Sequence, residues 1–151
     1  TLDVANYILD MIYTKTIREE QGGTYGVGCA IQGRKKPVER IDIHVLFTTN
    51  VDQAELLSKI AIEELGKFAQ NGPTHEQFNM AMENLKKNLP EKRISNSYWL
   101  SALQHYSEYG VDYDKEYEAA INSVTPEDVK NILQAVLAQK NFIEVTLAPQ
   151  E

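Results

Sequence analysis

The chain has 151 residues, 42% of them hydrophobic and 25% charged, a balance at which one compact globular domain spanning 1–151 is the expectation. Its 22 acidic against 15 basic residues give a formal charge of −7, which repels a phosphate backbone, so nucleic acid is not an expected partner. No apolar run approaches the roughly 20 residues of a membrane span, and the N-terminus lacks the charged-then-apolar layout of a signal peptide.

No membrane partner is therefore expected, and both periplasm and cytoplasm stay open as compartments. The chain opens at Thr1 directly in an amphipathic pattern, which suits a piece of a longer protein. Cys29 is the only cysteine, so neither an intrachain disulfide nor a C-x-x-C metal site is possible.

From Leu2 to about Glu20, Leu2, Ala5, Leu9 and Ile12 recur at helical steps, with Ile8 widening the stripe. Gln21-Gly22-Gly23 supplies glycine where a helix end needs a left-handed residue. A strand should follow, with Tyr25, Val27, Cys29 and Ile31 on one side and Gly26, Gly28 and Ala30 leaving the other nearly bare. On this alternation Cys29 is a core residue.

Ile41, Ile43, Val45 and Phe47 alternate with Asp42, His44, Leu46 and Thr48, giving a second strand joined through the Arg34–Pro37 loop. The basic cluster Arg34-Lys35-Lys36 then reads as a solvated hairpin tip. From Asp52 to Gln70, Ala54, Leu57, Ala61, Leu65 and Phe68 mark another helix, stopped by Asn71-Gly72-Pro73.

Thr74-His75-Glu76-Gln77 reads as a capping box. The helix behind it carries Phe78, Ala81, Leu85 and Leu89 on one face, with Pro90 expected to kink or end it. A helix over Ser97–Tyr109 has Trp99, Leu103 and Tyr106 as its apolar stripe and Gly110 as its stop. After a short helix at Glu116–Asn122, Thr125-Pro126-Glu127-Asp128 starts the last one, turning Val129, Leu133 and Val136 inward. Phe142 to Leu147 alternates and is expected to rejoin the sheet as a late strand. This order predicts an α+β fold, an antiparallel sheet with helices packed on one face.

Two segments imitate zinc motifs and both fail. His75-Glu76-Gln77-Phe78-Asn79 has Asn79 where H-E-x-x-H needs its second imidazole, and His105-Tyr106-Ser107-Glu108-Tyr109 has Tyr109 where H-x-x-E-H needs its last histidine. With His44 the only histidine left, no metal site is predicted in this chain. There is no G-x-S-x-G elbow, and Gly23, Gly26 and Gly28 follow a helix where a phosphate loop must follow a strand.

What remains is the junction Ile17-Arg18-Glu19-Glu20-Gln21-Gly22-Gly23-Thr24-Tyr25-Gly26-Val27. It resembles the helix-to-strand junction in the C-terminal half of insulinase-like (pitrilysin-type, inverzincin) zinc metallopeptidases, where an Arg and a Tyr seven residues apart bracket a Gly-containing turn. Val124-Thr125-Pro126-Glu127-Asp128-Val129 and the late strand running to Pro149 look like that family's domain ending. The resemblance implies a zinc-free, substrate-side domain lacking its usual first strand. Zinc would be held by the N-terminal half or a partner subunit, and peptide would be the substrate.

It also gives roles to two residues. Hydrolysis places negative charge on the scissile carbonyl oxygen, and the phenol hydroxyl of Tyr25 is a suitable catalytic donor to it. Arg18 offers a rigid fork of donors for backbone carbonyls of an extended peptide, so Arg18 and Tyr25 together form the substrate-binding pair. Without the resemblance, Arg18 is a cation in a helix's last turn and Tyr25 an ordinary strand residue. The alternative function is a non-catalytic structural or peptide-binding subunit with the same fold.

Overall fold

The computed structural model describes residues 1–148, and the expected strand end at Pro149 lies outside them. The first helix, α1 (Leu2–Tyr13), passes without a break into a π-helical turn over Thr14–Glu19. Val4, Ala5, Ile8, Leu9, Tyr13 and Ile17 along this rod are almost fully buried. A helix apolar on this many sides has to be covered on several, and α1 is: strand β1 (Val27–Arg34) packs on one face, and helices α2 (Ala54–Asn71), α3 (His75–Lys92) and α6 (Pro126–Ala138) on others.

β1 pairs antiparallel with β2 (Arg40–Phe47) in a two-stranded sheet, in register from Val27 opposite Phe47 to Arg34 opposite Arg40. Val27, Cys29, Ile31, Ile43, Val45 and Phe47 turn toward the core, as their alternation requires. His44 and Leu46 on the opposite face are exposed. The sheet is fastened to α1 by Asn6, whose Oδ1 accepts the Ile31 amide hydrogen at 2.8 Å. Helices and antiparallel sheet thus form the α+β arrangement expected from the order of elements.

The helix ends follow from local chemistry. Gly22 and Gly110 adopt φ of +61° and +71°, the left-handed conformation that costs glycine least. Thr74 and Gln77 cap α3 reciprocally, and Thr125 and Asp128 do the same for α6. Pro90 lies inside α3, which runs two residues further, to Lys92, so the missing amide falls in the last turn. The short helix α5 (Tyr113–Asn122) begins earlier than its apolar pattern, because Asp112 accepts the Lys115 amide as an N-cap.

Three expectations are corrected. Phe142–Leu147 forms no strand; it leaves α6 through Lys140 at φ +53°, and its Glu144 accepts a hydrogen bond from Ser58 of α2 instead. Alternation fits a segment to a sheet face but does not supply the neighbouring backbone that pairing needs. Helix α4 (Asn96–Tyr109) has the expected stripe, yet no residue of it is buried, and Leu103 and Tyr106 are exposed. The hairpin tip is also more than solvated. Lys36 Nζ donates to the Glu108 carbonyl at 2.6 Å and lies 5.4 Å from the Tyr109 ring centre, joining the tip to the negative end of α4.

Among the described residues no helix is long and apolar enough to cross a membrane.

Candidate functional site

The three histidines of this chain stand on separate elements. His44 lies on β2, His75 opens α3 and His105 sits on α4 against the rings of Tyr109 and Tyr113, at 4.9 and 5.4 Å between centres. Among the described residues no three His, Cys, Asp or Glu side chains come together as metal ligands. Cys29 is half-buried, and burial followed by the neighbouring charge of Asp10 pushes its thiol up to about 12, which leaves it an unreactive packing group at neutral pH.

The junction between α1 and β1 is built differently from a regular helix stop. Over Thr14–Glu19 the ladder widens, so that the Glu20 amide reaches the Lys15 carbonyl, five residues back, at 3.0 Å. Such π turns are uncommon and recur at functional sites. Ile17 is fully buried and anchors the turn, while its neighbour Arg18 is exposed. The Arg18 carbonyl accepts the Gly22 amide at 3.2 Å, so the chain reverses there through the left-handed Gly22.

Tyr25 does not lie in the strand where alternation puts it. β1 begins at Val27, and Tyr25 is 100% exposed. The cause is Thr24, whose hydroxyl accepts the Gly26 amide at 3.2 Å and donates to the Gly26 carbonyl at 2.8 Å. A side chain that satisfies the backbone locally competes with the strand ladder, and the resulting turn throws Tyr25 outward. Among the described residues neither Arg18 nor Tyr25 has a side-chain hydrogen bond or ion pair within the chain, so the guanidinium fork and the phenol both face solvent from one short segment.

Three further residues shape this segment. Thr49 Oγ1 donates to the Gly23 carbonyl at 2.6 Å. Gly23 also lies directly against Gln53: a Cβ there would strike Gln53 Oε1 and come within 3.1 Å of Leu57 Cδ1. The sequence offers no signal for these contacts, because Thr49 and Gln53 lie about thirty positions along the chain in an unrelated loop and turn. Thr24 was legible in principle, since a Thr two residues before a Gly is a familiar turn former.

No protein-family model and no curated protein sequence matches this chain. Solved structures do. The periplasmic protease PqqL from Escherichia coli superposes with a TM-score of 0.74 over 91% of this chain and 15% of that one, at 21% identity. A Pseudomonas fluorescens structure described as a peptidase M16 inactive domain gives 0.70 over 89% of this chain and 33% of that one, at 20% identity. The ferredoxin protease FusC, solved in complex with Arabidopsis ferredoxin, gives 0.66 over 89% of this chain and 15% of that one, at 14% identity. The chain thus spans a third or less of each of these proteins, and its fold is that of the insulinase-like M16 peptidase domain.

Proposed function

We propose that this chain is the zinc-free, substrate-side domain of a zinc metalloendopeptidase, in which Arg18 orients an extended peptide and Tyr25 donates to the developing oxyanion. The observation that carries this reading is the pairing of two exposed donor groups on one junction whose backbone is held at buried Ile17 and at Gly23. A guanidinium and a phenol left free beside a fixed backbone are poised for an outside acceptor, and peptide carbonyls are such acceptors.

Zinc belongs, on this reading, to another domain or a partner subunit, where it supplies the Lewis acid for hydrolysis. This chain contributes the opposite wall. The fold likeness to PqqL and FusC, both described as proteases, supports a peptide or protein substrate.

A second reading has its own support, because the Pseudomonas fluorescens neighbour is described as an inactive domain. A non-catalytic, peptide-binding subunit would keep the fold and dispense with turnover. The test compares zinc content and peptide cleavage for the isolated chain and for the intact protein with its partner. The proposal expects zinc and cleavage in the intact protein and neither in the isolated chain. One tightly bound zinc in the isolated chain contradicts it, and an intact protein that binds peptide without cleaving it selects the second reading.

A further inference from the structure

We infer that Thr49 is a positioning residue for the Arg18–Tyr25 pair, holding the glycine-rich turn between them in one conformation; this inference rests on the functional reading of that pair. Arg18 and Tyr25 cannot fix themselves, because their side chains are exposed and without partners among the described residues. The segment between them contains Gly22 and Gly23, and Gly26 follows Tyr25. Glycine loses the most conformational freedom on ordering, so this stretch needs support from outside itself.

On the Arg18 side that support is Ile17, fully buried in the core. On the Tyr25 side it is Gly23. The Thr49 hydroxyl, just past the end of β2, grips the Gly23 carbonyl at 2.6 Å across 26 residues of sequence. Gln53 and fully buried Leu57, at the start of the next helix, close the other side of Gly23, where an added Cβ would press on both side chains. Thr24 then shapes the last step around Tyr25 through its own turn.

The two contacts at Gly23 do different things. Thr49 contributes a hydrogen bond that sets where the carbonyl points. Gln53 contributes only a wall, since its buried Oε1 has no hydrogen-bond partner among the described residues. Removing the hydroxyl should therefore free the turn, while a residue of Gln53's shape without its polar atoms should not. A displacement of about 1 Å between a donor and its target can cost on the order of 10²-fold in rate, so loosening this turn should be felt in catalysis.

The experiment uses the intact protein carrying Thr49→Val, Thr49→Ser, Gln53→Met or Gly23→Ala. Backbone hydrogen exchange is read across the Arg18–Val27 segment, and affinity and turnover are read on a panel of quenched-fluorescent peptides. Thr49→Val should speed exchange in that segment and lower kcat/KM by roughly 10- to 100-fold, with Thr49→Ser restoring most of both. Gln53→Met should leave both near wild type. Gly23→Ala, which displaces the turn while leaving the Thr49 hydroxyl in place, should share the Thr49→Val signature. Unchanged exchange in Thr49→Val and Gly23→Ala overturns the clamp and leaves the roles of Arg18 and Tyr25 untouched. Faster exchange with wild-type peptide affinity and turnover in Thr49→Val, Arg18→Ala and Tyr25→Phe alike overturns the functional reading and the clamp's purpose with it.

Discussion

Tyr13 donates its hydroxyl hydrogen to the Ala61 carbonyl oxygen at 2.9 Å, joining the last residue of α1 to the middle of α2. The ring is 1% exposed, and burial, followed by electrostatic coupling to Cys29 and Glu64, raises the phenol well above its ordinary value. The hydroxyl is therefore a neutral donor around neutral pH. The bond fixes the helix end from which the π turn and Arg18 depart.

Tyr13→Phe keeps the ring and removes the donor, so it should cost about 1 kcal/mol. Tyr13→Ala also opens a cavity in the core and should cost about 3 to 5 kcal/mol. Denaturant midpoints at unchanged slope give both values. A loss for Phe that equals the loss for Ala would move the whole contribution to the hydroxyl.

Arg18→Lys should not restore what Arg18→Ala loses, because an ammonium cannot reproduce a planar fork that holds two carbonyls at once. Steady-state cleavage of a peptide panel by the intact protein measures it. We expect both variants to lose about tenfold or more in kcat/KM, the scale of one charge-assisted hydrogen bond. Lysine performing as well as arginine on every peptide would reduce Arg18 to a source of charge.

Acid should weaken the α4–α5 corner through Asp114. Its carboxylate accepts from Arg93 Nε at 2.7 Å and from the Tyr98 hydroxyl at 2.6 Å. The hydrogen bond from Arg93, then that from Tyr98, holds the carboxyl below its ordinary value. A folded-state pKa lowered from the unfolded value of about 3.9 stabilises the protein above that value, and the contribution fades as pH falls through the folded one. Thermal melts across the acid range should show a steeper loss of stability for wild type than for Asp114→Asn. Parallel curves would mean that the half-buried pair contributes nothing measurable.

The sequence makes legible whatever is settled within a few residues. The capping box at Thr74, the capping hydroxyl of Thr125, the helix-stopping glycines Gly22 and Gly110 and the core faces of α1, α2 and α3 are local facts, fixed by spacing and side-chain chemistry. What spacing cannot report is the far partner. The stripe on α4 records apolar residues at helical steps and not that Leu103 is 65% exposed. Phe142–Leu147 records a strand's alternation without a strand beside it.

The candidate site divides the same way. Arg18 and Tyr25 stand out only through the family resemblance of their junction, and the turn that carries Tyr25 out of β1 depends on how Thr24 bonds to Gly26. The grip on Gly23 comes from Thr49, which only folding brings near. Lys36 reaching the Glu108 carbonyl, 72 residues away, was equally hidden.

The role proposed for Tyr25, donation to the reacting carbonyl, is open to test by Tyr25→Phe in the intact protein. The substitution removes one oxygen from a side chain that is 100% exposed, so melting temperature should stay at wild type. Peptide affinity should change little, because a ground-state carbonyl is a weaker acceptor than the oxyanion. Turnover should fall on the order of 10²- to 10³-fold, the usual consequence of losing one oxyanion donor. Turnover equal to wild type, with stability and affinity also unchanged, would contradict the catalytic role and leave a domain that at most binds peptide.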